Sequence, residues 1–87
     1  MTSCATPEFW EQYRALPREV REVARKAFRQ WMENPQHPSL HWKRLAGNVW
    51  SARISYQYRA VARVLGDDVL WFWIGSHAGY DRLLRGN

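Results

Sequence analysis

Four side chains in this sequence are suited by type and spacing to chemistry on a phosphate. They are Arg53 in WSARIS, Arg59 in QYRAV, and His77 and Tyr80 in GSHAGYDR. A guanidinium grips phosphate through two parallel hydrogen bonds, and histidine exchanges a proton near neutral pH. Brought together, such groups can cleave RNA without a metal ion. The ribose 2′-OH attacks the neighbouring phosphorus as a base takes its proton, and an acid protonates the departing 5′ oxygen. Arg53 and Arg59 would hold the developing negative charge. His77 is the histidine placed for the proton transfers, and Tyr80 would orient a base or share them. Lys43 is a weaker candidate, from an edge strand. Each residue also has a structural reading: Arg59 pairs with Asp67, Asp68 or Asp81, Arg53 is a solvated strand residue, His77 caps a helix, and Tyr80 and Trp73 are core. The case for a site is convergence on one face and one rim, so it rests on the elements that carry these residues.

The stretch Val69–Leu84, VLWFWIGSHAGYDRLL, organises the chain. Its first half is apolar on both alternating sets: Leu70, Phe72 and Ile74 on one, Val69, Trp71 and Trp73 on the other. That pattern predicts a central strand covered on both faces. Past Gly75-Ser76 a short helix is expected over about 78–84, with Tyr80, Leu83 and Leu84 packing back. Upstream, Thr6-Pro7-Glu8 is a helix start, with a hydroxyl cap, a first-turn proline and an acid at the positive end of the dipole. It predicts a helix over about 7–15, which Leu16-Pro17 interrupts. Val20, Val23, Ala24, Ala27, Phe28 and Trp31 then form one apolar stripe over three turns, the clearest helix in the chain. The basic residues on its other side are either a solvated surface or a holder of nucleic acid or a partner.

Asn34-Pro35 ends that helix, and LHWKRL (40–45) reads as a first strand with Leu45 out of phase. Trp50–Tyr56 and Tyr58–Leu65 alternate as two further strands, separated by short turns. Short loops make neighbours antiparallel. The expected fold is α+β: an N-terminal helical hairpin on a four-stranded antiparallel sheet with a short C-terminal helix, one domain over 1–87. Small residues Ala52, Ala60 and Ala62 leave room for the helices on one face. A period of two places Ser51, Arg53, Ser55, Arg59, Val61, Arg63, Trp71 and Trp73 on the other, with His77 past the rim. On that face Lys43 and Arg63 would bind RNA phosphate, and Trp71 and Trp73 would stack bases.

Composition agrees with a nucleic-acid partner without requiring one. Lys and Arg number 13 against 8 Asp and Glu, for a net charge of +5, and eleven of the 13 are arginine. Six Trp, four Tyr and three Phe point to a globular chain. The single cysteine, Cys4, cannot form an internal disulfide, so a reducing cytoplasm is expected. No apolar run approaches a membrane span, and MTSCATPEF lacks the apolar core of a signal peptide, so no membrane partner is expected. There is no glycine-rich phosphate loop. Pro38 between His37 and His41 spoils a helical zinc pair, and neither Ser51 nor Ser76 lies in a nucleophile elbow, so no metal or cofactor is expected.

The run from Pro35 to Arg82 resembles the RelE/ParE superfamily of bacterial type II toxins. The matching marks are NPQHPSLHWKRL after the long helix, WSARIS followed by QYRAV, and WFWIGSHAGYDRLL. By this resemblance the chain is a ribosome-dependent endoribonuclease that cuts mRNA in the decoding site, in contact with ribosomal RNA, and a cognate antitoxin neutralises it. Arg59 matches the arginine of the family's Tyr-Arg pair. Arg53 falls near a basic position on the preceding strand, and His77 and Tyr80 fall in the C-terminal catalytic region. The sequence departs from the family in two places. MTSCATPEF is short and proline-near for the usual opening strand, so the sheet is expected to lack it. SHAGY replaces a C-terminal arginine, which leaves His77 the acid–base role. ParE-like members share the fold but poison DNA gyrase without cutting RNA. That activity, and a non-catalytic module that binds RNA or protein on the same scaffold, are the alternatives.

Overall fold

A computed structural model of the chain describes residues 2–85. In chain order these form strand β1 (Thr2–Ala5), helices α1 (Pro7–Arg14) and α2 (Arg18–Glu33), a short 3-10 turn (Pro38–Leu40), strands β2 (Lys43–Ala46), β3 (Val49–Ser55), β4 (Tyr58–Leu65) and β5 (Asp68–Ser76), and helix α3 (His77–Leu84). The sheet order is β1-β5-β4-β3-β2. Strands β2 to β5 form an antiparallel meander, and β1 lies parallel to β5 in the register Thr2↔Asp68 to Ala5↔Trp71. The fold is therefore α+β on a five-stranded mixed sheet.

The expectation that no opening strand forms is corrected. Residues 2–5 lack the alternation that marks a strand, and a distant partner makes them one. Trp71 Nε1 donates to Ser3 Oγ at 3.1 Å, and Thr6 N donates to Trp71 O at 2.9 Å. Thr6 then caps α1 by accepting from Phe9 N at 3.1 Å. The expected strand over 40–45 is also shifted. Leu40 closes the 3-10 turn, whose first residues are held by Ser39 N donating to His37 Nδ1 at 3.2 Å. His41 adopts a left-handed φ of 43°, and pairing starts only at Lys43. Leu45 is the extra residue of a bulge, which explains why it is out of phase.

Helices α1 and α2 cover one face of the sheet. Their turn is clamped by arginines from the basic side of α2: Arg21 donates to Leu16 O at 2.6 Å, and Arg25 donates to the Tyr13 hydroxyl at 2.8 Å. Beneath them is an aromatic core. The Trp31 ring lies 5.1 Å from Trp71 and 5.3 Å from Trp42, both edge-on, and Trp42 stacks on Trp50 at 5.1 Å. Such pairs add about 0.5–1.5 kcal/mol each beyond the area they bury. Ala52, Ala60 and Ala62 floor this core, as their size suggests.

The second bulge matters most for function. β4 and β5 pair Val61↔Trp73 but Ala62↔Trp71, so Phe72 is an extra residue. Past it the strand's two faces exchange. Trp71 packs on Phe28, Trp31 and Trp42 at 4% exposure, and Ile74 joins the same core. Trp73 faces the opposite way, against α3. The placement of Trp71 on the RNA-facing side is thus corrected: it is a core residue and cannot stack a base.

Trp31 is 1% exposed, and its Nε1 has no hydrogen-bond partner. A buried orphan donor costs about 1–3 kcal/mol. Trp31→Phe, which removes it and keeps most of the packing, is expected to stay within about 1 kcal/mol of the wild type in urea denaturation. Trp31→Ala is expected to lose about 3–5 kcal/mol.

Candidate active site

The face away from α1 and α2 is built in rows across the strands. Lys43, Ser51, Val61 and Trp73 are successive Cα partners in one row, and Arg53, Arg59 and Gly75 in the next. Arg53 and Arg59 are therefore direct cross-strand neighbours. Helix α3 starts where β5 ends. Ser76 caps it by accepting from Gly79 N at 3.2 Å, and His77 N donates to Gln57 O in the β3–β4 turn at 2.7 Å. The helix then folds back over the rows. The Trp73 indole sits against its base: a Cβ on Gly75 would stand 2.9 Å from that ring, and one on Gly79 3.2 Å. Glycine at both positions permits this approach.

Tyr80 is the residue of α3 that goes under. It is 4% exposed, and its ring carries the Arg59 guanidinium 4.7 Å from its centroid. Such a cation–π contact strengthens as water is excluded. Ser51 Oγ, fully buried, receives both Arg59 Nη2 at 3.0 Å and the Tyr80 hydroxyl at 3.3 Å. Arg59 itself is 7% exposed, and its Nε has no partner. Among the described residues the ion pair found is His77 with Asp81, so Arg59 does not pair with Asp67, Asp68 or Asp81. A positive charge is buried beside a phenol and a hydroxyl without a carboxylate to neutralise it.

His77 lies at the mouth of this arrangement. Its ring centroid is 5.9 Å from that of Tyr80, and its Nδ1 is 3.3 Å from Asp81 Oδ2, with both side chains about half exposed. Asp81 thus orients the imidazole through Nδ1 and leaves Nε2 as the other ring nitrogen. Arg53 sits beside Arg59 in the sheet, but its guanidinium turns the other way, with Nη1 3.2 Å from His41 Nε2. A guanidinium only donates, so the imidazole of His41 accepts.

The structure therefore gathers Arg59, Tyr80 and His77, with Arg53 at the next position of the sheet. Lys43 is exposed in the row of Ser51. Arg63 is further along β4, donating to Asn48 Oδ1 at 3.0 Å and lying 5.4 Å from the Phe72 ring centroid. Trp73 is half-buried under α3, so the face has no open indole floor. Leu83 and Leu84, expected to pack back, are 39% and 50% exposed. Ser51, His41 and Asp81 were not singled out as site residues. Ser51 could have been found from its period-two spacing with Arg53, and Asp81 from its i, i+4 spacing with His77. His41 carried no such signal. No group of His, Cys, Asp and Glu suited to a metal occurs among the described residues, and no helix among them is long and apolar enough to cross a membrane.

A helical hairpin on one side of a twisted mixed sheet, with arginines and a C-terminal helix on the other, defines a class of small toxin-like domains. Residues 18–82 match the family model described as a ParE-like toxin domain, and the chain belongs to that family. Solved structures agree in fold. The YoeB/ParE toxin from Agrobacterium tumefaciens matches with a TM-score of 0.70 at 22% identity, over 88% of this chain and 99% of that one. A chain of the RelB–RelE antitoxin–toxin complex from Methanococcus jannaschii matches with a TM-score of 0.73 at 16% identity, over 91% and 96%. The isolated E. coli RelE toxin matches with a TM-score of 0.66 at 19% identity, over 97% and 96%. No curated protein matches the chain.

Two substitutions test the buried cluster. Ser51→Ala leaves Arg59 and Tyr80 without their shared acceptor and is expected to cost about 1–3 kcal/mol in chemical denaturation. Arg59→Met keeps the length of the stem and removes an unneutralised buried charge, so its thermal midpoint is expected to be no lower than that of the wild type. A midpoint many degrees lower would mean that Arg59 holds the fold together.

Proposed function

We propose that this ParE-like domain is the toxin of a type II toxin–antitoxin pair and that it cuts mRNA on the ribosome. The observation that carries the reading is Arg59: a buried guanidinium with no counter-ion among the described residues, set beside Tyr80 and Ser51 and directly across the sheet from Arg53. Burying an uncompensated charge costs several kcal/mol. A phosphodiester would supply the missing negative charge once Tyr80 and α3, which cover Arg59, make way for it.

In this reading the 2′-OH oxygen bonds to phosphorus and the bond from phosphorus to the 5′ oxygen breaks, leaving a 2′,3′-cyclic phosphate and a 5′-OH. Arg59 and Arg53 stabilise the charge that builds on the phosphoryl oxygens. His77, accessible and oriented by Asp81, moves the proton at Nε2. Tyr80, with its hydroxyl engaged by Ser51, positions Arg59. Lys43 and Arg63 lie on the same face to hold the flanking backbone.

An antitoxin partner is supported by the RelB–RelE complex among the similar structures and by apolar surface. Between α1, α2 and the sheet lies a cavity of about 340 Å³ lined by Phe9, Trp10, Tyr13 and Phe28 among others, and Trp10 and Phe28 are 45% and 39% exposed. Contiguous exposed aromatics of this kind mark a protein-binding surface. The match to a ParE-like toxin domain keeps a second reading open, the DNA gyrase inhibition that the sequence resemblance implies for ParE-like members.

Induced expression is expected to arrest growth and translation, with new 5′ ends within reading frames seen by primer extension. His77→Ala and Arg59→Ala are each expected to relieve the arrest. Growth arrest with intact mRNA and a DNA-damage response would replace the nuclease with the gyrase reading. If neither substitution changes toxicity, the residue assignment is wrong.

A further inference from the structure

Tyr56 is 82% exposed, the most exposed of the large hydrophobic side chains among the described residues. It opens the two-residue turn between β3 and β4, and that turn is fixed from both sides. Ser55 pairs with Tyr58 across it, and Gln57 O receives His77 N. An aromatic ring is thus presented to solvent from a backbone tied to the start of α3, three residues from Arg53 and three from Arg59.

Beside it the sheet has an open edge. β2 pairs with β3 only as far as Ser51, so Arg53–Ser55 have no strand beyond them. A bulge at Ile54 bends this part of β3. Between the edge and α2 lies a cleft of about 380 Å³, whose lining includes Gln30, Ser39, Leu40, Arg53, Ser55 and Tyr56. Ala27, Leu40 and Ile54 give it an apolar floor. Ser39 Oγ lies 3.1 Å from Gln30 Oε1 and 2.9 Å from His37 Nδ1. An aromatic wall, an apolar floor, an amide and hydroxyls that donate and accept, and an arginine in the lining are the recognition elements of an unstacked nucleobase.

We infer that this cleft is a nucleobase subsite, with Tyr56 as its stacking platform, taking the base next to the phosphate held by Arg59. The cleft lies on the α2 side of the sheet and Arg59 on the other, so the nucleotide chain passes over the open edge of β3 at Arg53, which is the Cα partner of Arg59 and also lines the cleft. The inference rests on the RNA-cleaving reading above and adds to it the determinant of sequence preference.

The test uses ribosomes programmed with mRNA that carries 4-thiouridine at single positions around the cut, with the attacking 2′-OH methylated so that the chain stays whole. Irradiation is expected to crosslink one position next to the linkage to the peptide containing Tyr56. On unmethylated mRNA, Tyr56→Ala is expected to lower cleavage at preferred sites by about five- to 150-fold, the range for loss of one base stack, and to flatten the preference among sites. Tyr56→Phe should stay within about twofold. If wild-type protein cleaves mRNA, but crosslinks fall only on β5 and α3 and Tyr56→Ala leaves the preference unchanged, the subsite is refuted and the nuclease reading stands. If there is neither cleavage nor crosslink, both are refuted.

Discussion

One extra residue in one strand determines how this molecule is layered. Without the bulge at Phe72, a strict alternation along β5 would send Trp71 and Trp73 to the same face. With it, Trp71 fills the core under α2 and Trp73 forms the seat of α3. A single strand thereby supplies a large indole to each of two layers. The seat then sets the height of α3 above the sheet, through the contacts of Gly75 and Gly79 with the ring, and so sets where Tyr80 meets Arg59.

The cluster around Arg59 is assembled at a cost to the folded state. Ser51 and Tyr80 satisfy part of the guanidinium, but no carboxylate balances it among the described residues. Polar groups buried in this half-satisfied way are expected where a site is kept ready for a ligand. The basic residues of α2 are different in kind. Arg21 and Arg25 hold the helical hairpin closed, so part of the chain's arginine content is structural.

Much of this arrangement could be read from the chain itself, and the failures have identifiable causes. The Thr6-Pro7 cap, the stripe of α2 and the alternation of Tyr58–Leu65 are local signals, and each produced its element. β1 exists because of β5, about 66 residues away, and nothing within Thr2–Ala5 announces it. Bulges break the assumption that face follows odd and even position, which is why Trp71 was assigned to the wrong side while Arg53 and Arg59, before and between the breaks, were placed correctly as neighbours. The relation among Arg59, Tyr80 and His77 followed from strand order. Its anchor, Ser51, was legible only as a residue of that face: period-two spacing with Arg53 places it there, but nothing in a serine says that it will hold Arg59 and Tyr80.

The parallel pairing of β1 with β5 joins the first described residues to the last strand of the described sheet. Loop-closure entropy on that scale makes the contact a late event in folding. The nascent chain can form its helical hairpin early, but neither the sheet's far edge nor α3 can be laid down until β5 has been made. Arg59 acquires its surroundings only then, so a truncated or stalled product would carry the arginines without the pocket that gives them purpose.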